Sequence, residues 1–147
     1  MRTSFLAAVL LIPPLALGQS TPTQLAIRVQ IDANQWNRAK LLEKLNQQGS
    51  KHGMKFVLAD QGKECDYRIS FKTGKTPRDI VVQGTGGTVD YDTGFAAVYT
   101  PQGEELFQFK HEATWTETGA INGTAKEIVK RLKVLRSGPP PKKEVPQ

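Results

Sequence analysis

Few residues in this sequence have the types and spacing that chemistry needs. His52 and His111 are the two histidines, and neither stands at metal-ligand spacing from the other or from Cys65, the lone cysteine. A thiol nucleophile built from Cys65, His111 and a carboxylate would need local support that the neighbouring residues do not give. A small buried hydrophobe ahead of a strand is the reading preferred for Cys65. Asp90-Tyr91-Asp92-Thr93-Gly94 resembles the start of a calcium loop but lacks the later ligands. Gly84-Thr85-Gly86-Gly87-Thr88 has the composition of a phosphate loop. It is followed by the acidic, strand-like Val89-Asp90-Tyr91-Asp92 where a helix N-terminus and a lysine would be required.

Charge gives a further candidate. The chain has 20 Lys and Arg against 14 Asp and Glu. Lys126, Lys130, Arg131, Lys133 and Arg136 make the last predicted helix basic, which is the electrostatic footprint of nucleic-acid binding. No aromatic interleaving accompanies it. A solvated helix face, with cations favoured at its C-terminal end, accounts for the same pattern, so nucleic acid is disfavoured as a partner. Asn122-Gly123-Thr124 fits a glycosylation sequon and equally a turn at a helix start. No residue earns a catalytic, cofactor-binding or metal-binding assignment, and no cofactor is implied.

The elements that would hold these residues follow an export signal. Arg2 precedes an apolar run from Phe5 to Ile12, and Leu15-Ala16-Leu17-Gly18 places small residues before a cut at Gln19. That is a cleavable signal peptide over residues 1–18. A spanning helix would need ~20 apolar residues without the Pro13-Pro14 interruption. Cleavage removes one basic residue and no acidic one, so the remainder stays basic. Residues 19–136 read as one domain. From Ser137, the Pro139-Pro140-Pro141-Lys142-Lys143 stretch reads as a disordered, extended tail able to meet an aromatic groove or an anionic surface.

Inside the domain, Leu25, Ile27, Val29 and Ile31 alternate with polar residues, as in a strand with one buried side. Asn34 begins a helix predicted to reach Lys51, with Leu41, Leu42 and Leu45 on one face and Trp36 on the other. Gly49 weakens its second half and Gly53 stops it. Further strands are predicted at 54–58, 66–72, 80–82, 95–100 and 105–115. Tyr67, Ile69 and Phe71 point inward on one of them. Phe107, Phe109, His111, Ala113 and Trp115 share a face of the last. Gly74 to Pro77 breaks one strand from the next, and residues 84–94 form a flexible stretch containing a hairpin turn. The second helix starts near Thr124, with Ala125, Ile128, Val129, Leu132 and Leu135 as its apolar stripe. The expected fold is α+β: a two-layer sandwich with a mixed or mostly antiparallel sheet of five to six strands and two helices on one face.

This order, with the capped helix leading into Phe56-Val57-Leu58, the Asp66-Tyr67-Arg68-Ile69 strand, the Pro101-Gln102-Gly103-Glu104 hairpin and a closing amphipathic helix, resembles a group of small periplasmic modules. They include the amino-terminal domain of TolB-type translocation proteins and the curli-secretion lipoproteins. Many such modules carry a helix between the second and third strands, where this chain has about seven residues, and they often bear a lipid-anchoring cysteine that is absent here. The resemblance implies a protein-binding or assembly role without catalysis and transfers no site residues. The expected function is therefore a non-catalytic exported domain, periplasmic or secreted, that binds other cell-envelope proteins. The alternative is a small-ligand carrier or hydrolase using a groove near residues 84–94.

Overall fold

A computed structural model describes residues 24–113 and 116–138. The signal segment, the cut after Gly18, Trp115 and the Pro/Lys tail lie outside the described residues. Five strands and two helices follow in the order β1 (Leu25–Asp32), α1 (Gln35–Gly49), β2 (Met54–Leu58), β3 (Tyr67–Val82), β4 (Thr85–Tyr99), β5 (Glu105–Ala113) and α2 (Glu117–Ser137). The sheet order is β2-β1-β3-β4-β5. β1 runs parallel to both neighbours, and the β3–β4 and β4–β5 pairs are antiparallel. Both helices lie on one face of this open, mixed sheet, as the α+β reading expects.

The core lies between the layers. Ile27, Val29 and Ile31 meet Leu41 and Leu45 from α1 and Ile121, Ile128 and Leu132 from α2, with Phe56, Ile69, Phe71 and Val98 completing the contact. The period-two and period-3.6 patterns of the sequence thus point at the same interior. Trp36 falls outside it, 47% exposed.

The loop joining β2 to β3 is short for parallel strands, which ordinarily need a crossover of about a dozen residues or more. Register explains the economy. β2 pairs with Leu25 to Val29 of β1, and β3 pairs with Val29 to Asp32 on the other side. β3 therefore begins level with the end of β2, and the chain never travels back. Residues 59–66 cross β1 on the face away from the helices. There the Gln30 amide donates to the Asp60 and Lys63 carbonyls at 3.3 and 3.2 Å. Asp66 extends the ladder, its backbone N–H donating to the Arg28 carbonyl and its carboxylate accepting from the Arg28 N–H, each at 2.7 Å.

Three expectations need correction. The predicted strands at 66–72 and 80–82 are one strand, β3, running through Gly74 and Pro77. Beyond Ser70 that strand has a ladder partner on one side only, so a residue lacking an N–H is tolerated. The predicted flexible stretch at 84–94 is the first two thirds of β4, paired with β3 as far as Val82↔Thr85. Its turn sits at one end: Gln83 (φ 51°) and Gly84 (φ 82°) give the two positive-φ residues of a type I′ hairpin.

The third correction concerns α2, which starts seven residues before Thr124, at Glu117. The Thr116 side chain caps it by accepting from the Gly119 N–H at 3.0 Å. Gly119 and Gly123 argue against helix by propensity, but close packing requires a small residue at 123. A Cβ at Gly123 would collide with the His111 ring, and one at Gly94 with the Thr124 hydroxyl. Asn122-Gly123-Thr124 is accordingly mid-helix and not a turn. The first helix likewise ends at Gly49 and passes into a 3₁₀ turn, Ser50–His52, that Gly53 (φ 69°) stops.

Candidate functional site

The sheet has two long edges, and the sequence folds differently at each. At the β2 edge, α1 supplies a plug. Asn46 lies one turn before the buried Gly49, which packs so closely that an added Cβ would stand 2.8 Å from the Met54 carbonyl oxygen and the Phe56 ring. This approach lets the Asn46 carboxamide reach Phe56 backbone. The Phe56 N–H donates to Asn46 Oδ1 at 2.8 Å, and Asn46 Nδ2 donates to the Phe56 carbonyl at 3.0 Å. The outward-facing pair that another strand would need is already used.

At the other side, β5 pairs with β4 alone among the described residues. β3 and β4 continue past the ends of both their neighbours, because β1 leaves β3 at Ser70 and β5 reaches β4 only as far as Asp92. From Thr76 to Tyr91 the two strands form a projecting ribbon that ends at Gln83-Gly84. Val81 near its tip is 77% exposed. The ribbon's root is tied to the sheet by charge. Arg78 pairs with Glu112, which also accepts from Lys110 at 2.8 Å, and its guanidinium lies 5.4 Å from the Tyr91 ring centre. Thr88 donates to Asp79 across the ribbon at 3.0 Å.

Among the described residues, the helix-free face is covered over β1 by residues 59–66 and bare over β3, β4 and β5. Ser70, Lys72, Phe95, Ala97, Gln108 and Lys110 line a shallow groove of about 530 Å³ there, and the Lys72 ammonium sits 5.4 Å from the centre of the Phe95 ring. This groove, the β5 edge and the ribbon are contiguous through β4.

The residues singled out by sequence are mostly scattered. Cys65 is buried, 8% exposed, just ahead of β3. Asp90 and Asp92 stand on the ribbon strand β4, and the described residues contain no cluster of three or more His, Cys, Asp or Glu side chains able to hold a metal. Gly84 to Thr88 is a hairpin turn and strand, with no helix N-terminus behind it. The groove expected near a loop at 84–94 has no such loop to form it.

One juxtaposition escaped the linear reading: His52 and His111 line the same cavity of about 510 Å³ between the 3₁₀ turn and α2, together with Lys51, Lys126, Glu127 and Lys130. Glu127 is held below the usual carboxylate range by its hydrogen bond from Arg131, at 2.8 Å, against an opposing effect of partial burial. Arg131 in turn lies over the Phe107 and Phe109 rings, 5.4 and 4.9 Å from their centres. The Asn46 plug was also missed. Its signal in sequence is only an asparagine inside a helix, where polar side chains usually face water.

The site defines an α+β sandwich with one capped edge and one open edge. No protein-family model matches the chain, and no curated protein matches it. Among solved structures, the chain is similar to a minor lipoprotein from Acinetobacter baumannii, with 10% identity and a TM-score of 0.49 over 77% of this chain and 95% of that one. It is also similar to a PDZ domain protein from Parabacteroides distasonis, with 9% identity and a TM-score of 0.44 over 72% of this chain and 31% of that one. No helix among the described residues is long and apolar enough to cross a membrane.

Proposed function

We propose that this chain is an exported, non-catalytic domain that binds other cell-envelope proteins along the β5 edge, the bare sheet face and the β3–β4 ribbon. The observation that carries the reading is the ribbon. Two strands held only by each other are marginally stable in water, and here they project an exposed Val81 with no covering layer among the described residues. An extended partner segment added to such an edge gains main-chain hydrogen bonds and rests its side chains on the adjoining groove. The capped β2 edge supports the assignment by leaving this side as the free one. The Met1–Gly18 pattern supports export.

The test is site-directed photocrosslinking in envelope extract, using the chain from Gln19 with a photoreactive residue at Val81, at Gln108 or, on the exposed side of α1, at Ala39. One adduct of common mass from positions 81 and 108, and none from 39, is the expected result. Adducts at 39 alone, or none at any position, would reject the reading. Repeating the experiment with a chain ending at Ser137 shows whether the Pro/Lys tail contributes.

A further inference from the structure

We propose that the cavity between the Ser50–His52 turn and α2 is a binding site for a phosphoryl anion, separate from the protein-binding face. Its walls come from distant parts of the chain. Lys51 and His52 follow α1, Lys126 and Lys130 are successive on one side of α2, and His111 enters from β5. Lys133, one turn further along α2, brings its ammonium 3.4 Å from His52 Nδ1. The buried Val129 contributes an apolar wall.

The charges do not cancel. Glu127 is the carboxylate lining this cavity, and its negative charge is answered by Arg131 at 2.8 Å, with Lys130 at 3.9 Å. Lys51, Lys126 and Lys133 have no carboxylate partner among the described residues. Lys51 instead donates to the neutral Gln48 side chain at 3.3 Å. Ammonium groups gathered around one concavity raise the local concentration of anions. Their chemistry narrows the class. Lysines act as compact point charges with freely turning donors, which suits a tetrahedral, multiply charged phosphate. A planar carboxylate is better matched by the arginine fork. Gly123 belongs to the same construction: its missing side chain lets the His111 ring reach the helix at the cavity wall.

The phosphoryl group has two sources, a soluble phosphate and the headgroup of an anionic phospholipid. The probes are inorganic phosphate, followed by NMR of the histidine ring signals in the intact chain from Gln19, and vesicles of phosphatidylcholine with or without phosphatidic acid, followed by co-sedimentation. Saturable shifts of the His52 and His111 signals with phosphate support the site and a soluble ligand. Retention by phosphatidic acid vesicles alone supports the site and a lipid source. In either case the double variant Lys126→Gln/Lys130→Gln should bind at least about fivefold more weakly. Lys55→Gln/Lys75→Gln, which removes the same charge elsewhere, should bind as the parent does. An unchanged thermal midpoint shows both variants folded. No response to either probe, or equal weakening in the two double variants, overturns the proposal.

Discussion

At the β2 edge a helix comes close enough for Asn46 to occupy both outward groups of Phe56, whereas at the β5 edge and along the ribbon the backbone keeps its second side open among the described residues. The same sheet therefore ends in one margin blocked at Phe56 and one left open among the described residues. Edge strands promote association unless blocked, so the proposed contact surface falls on the open side. Met54 and Phe56 of β2 belong to the core, as do Phe71, Ala96 and Val98 at the base of β3 and β4, whereas the ribbon from Thr76 to Tyr91 lies outside it.

The sharpest way to break this comparison is one substitution made at both places. Gly49→Ala forces a Cβ against the Met54 carbonyl and Phe56, and should cost about 1–3 kcal/mol by urea denaturation. Gly86→Ala on the ribbon meets open space and should be neutral or stabilise by up to about 1 kcal/mol. Equal losses at both would mean that the ribbon is packed. Asn46→Ala tests the plug itself. It should cost about 1 kcal/mol and convert the β2 edge into a second association surface, seen as concentration-dependent dimer in sedimentation velocity. A variant that stays monomeric would remove the edge-blocking role.

Smaller effects belong to the open side. Arg78→Ala loses the ion pair between the exposed Arg78 and the partly buried Glu112, which keeps Lys110, and should lower stability by only about 0.2–1 kcal/mol, while reducing the crosslink yield at Val81. A stability loss well above this would show that the ribbon root supports the core. Beneath the β5 edge, the folded-state pKa of Glu127 lies below its unfolded value. Its contribution is then complete above the unfolded value and is lost as pH falls through the lower folded value. The stability gap between the parent and Glu127→Gln should be present at neutral pH and close in acid. A gap that widens in acid would reverse the assigned direction.

Most of the layer structure was legible in the residues. The alternation from Leu25 to Ile31 and the spacings Leu41–Leu45 and Ile128–Leu132 each define a buried side by local geometry alone. Together they specify two helices over one sheet face. Pro77 and the glycines between 84 and 94 misled because their local preferences are for turns. In the fold, β3 at Pro77 needs a hydrogen-bonding partner on only one side. Gly123 misled in the same way, since its role is to make room for the His111 ring.

The sequence by itself determined what depends on neighbours within a few residues: the buried sides of β1, α1 and α2 and the turn at Pro101 to Glu104. Tertiary structure decided the rest. That includes the strand order, the crossing at Val29, the union of two predicted strands into β3, the meeting of Asn46 with Phe56, and the placing of His52 and His111 on one cavity. Each of these rests on a contact between residues far apart in the chain or on a register between strands. Such contacts depend on the packing of the whole sheet, which no short window of residues encodes.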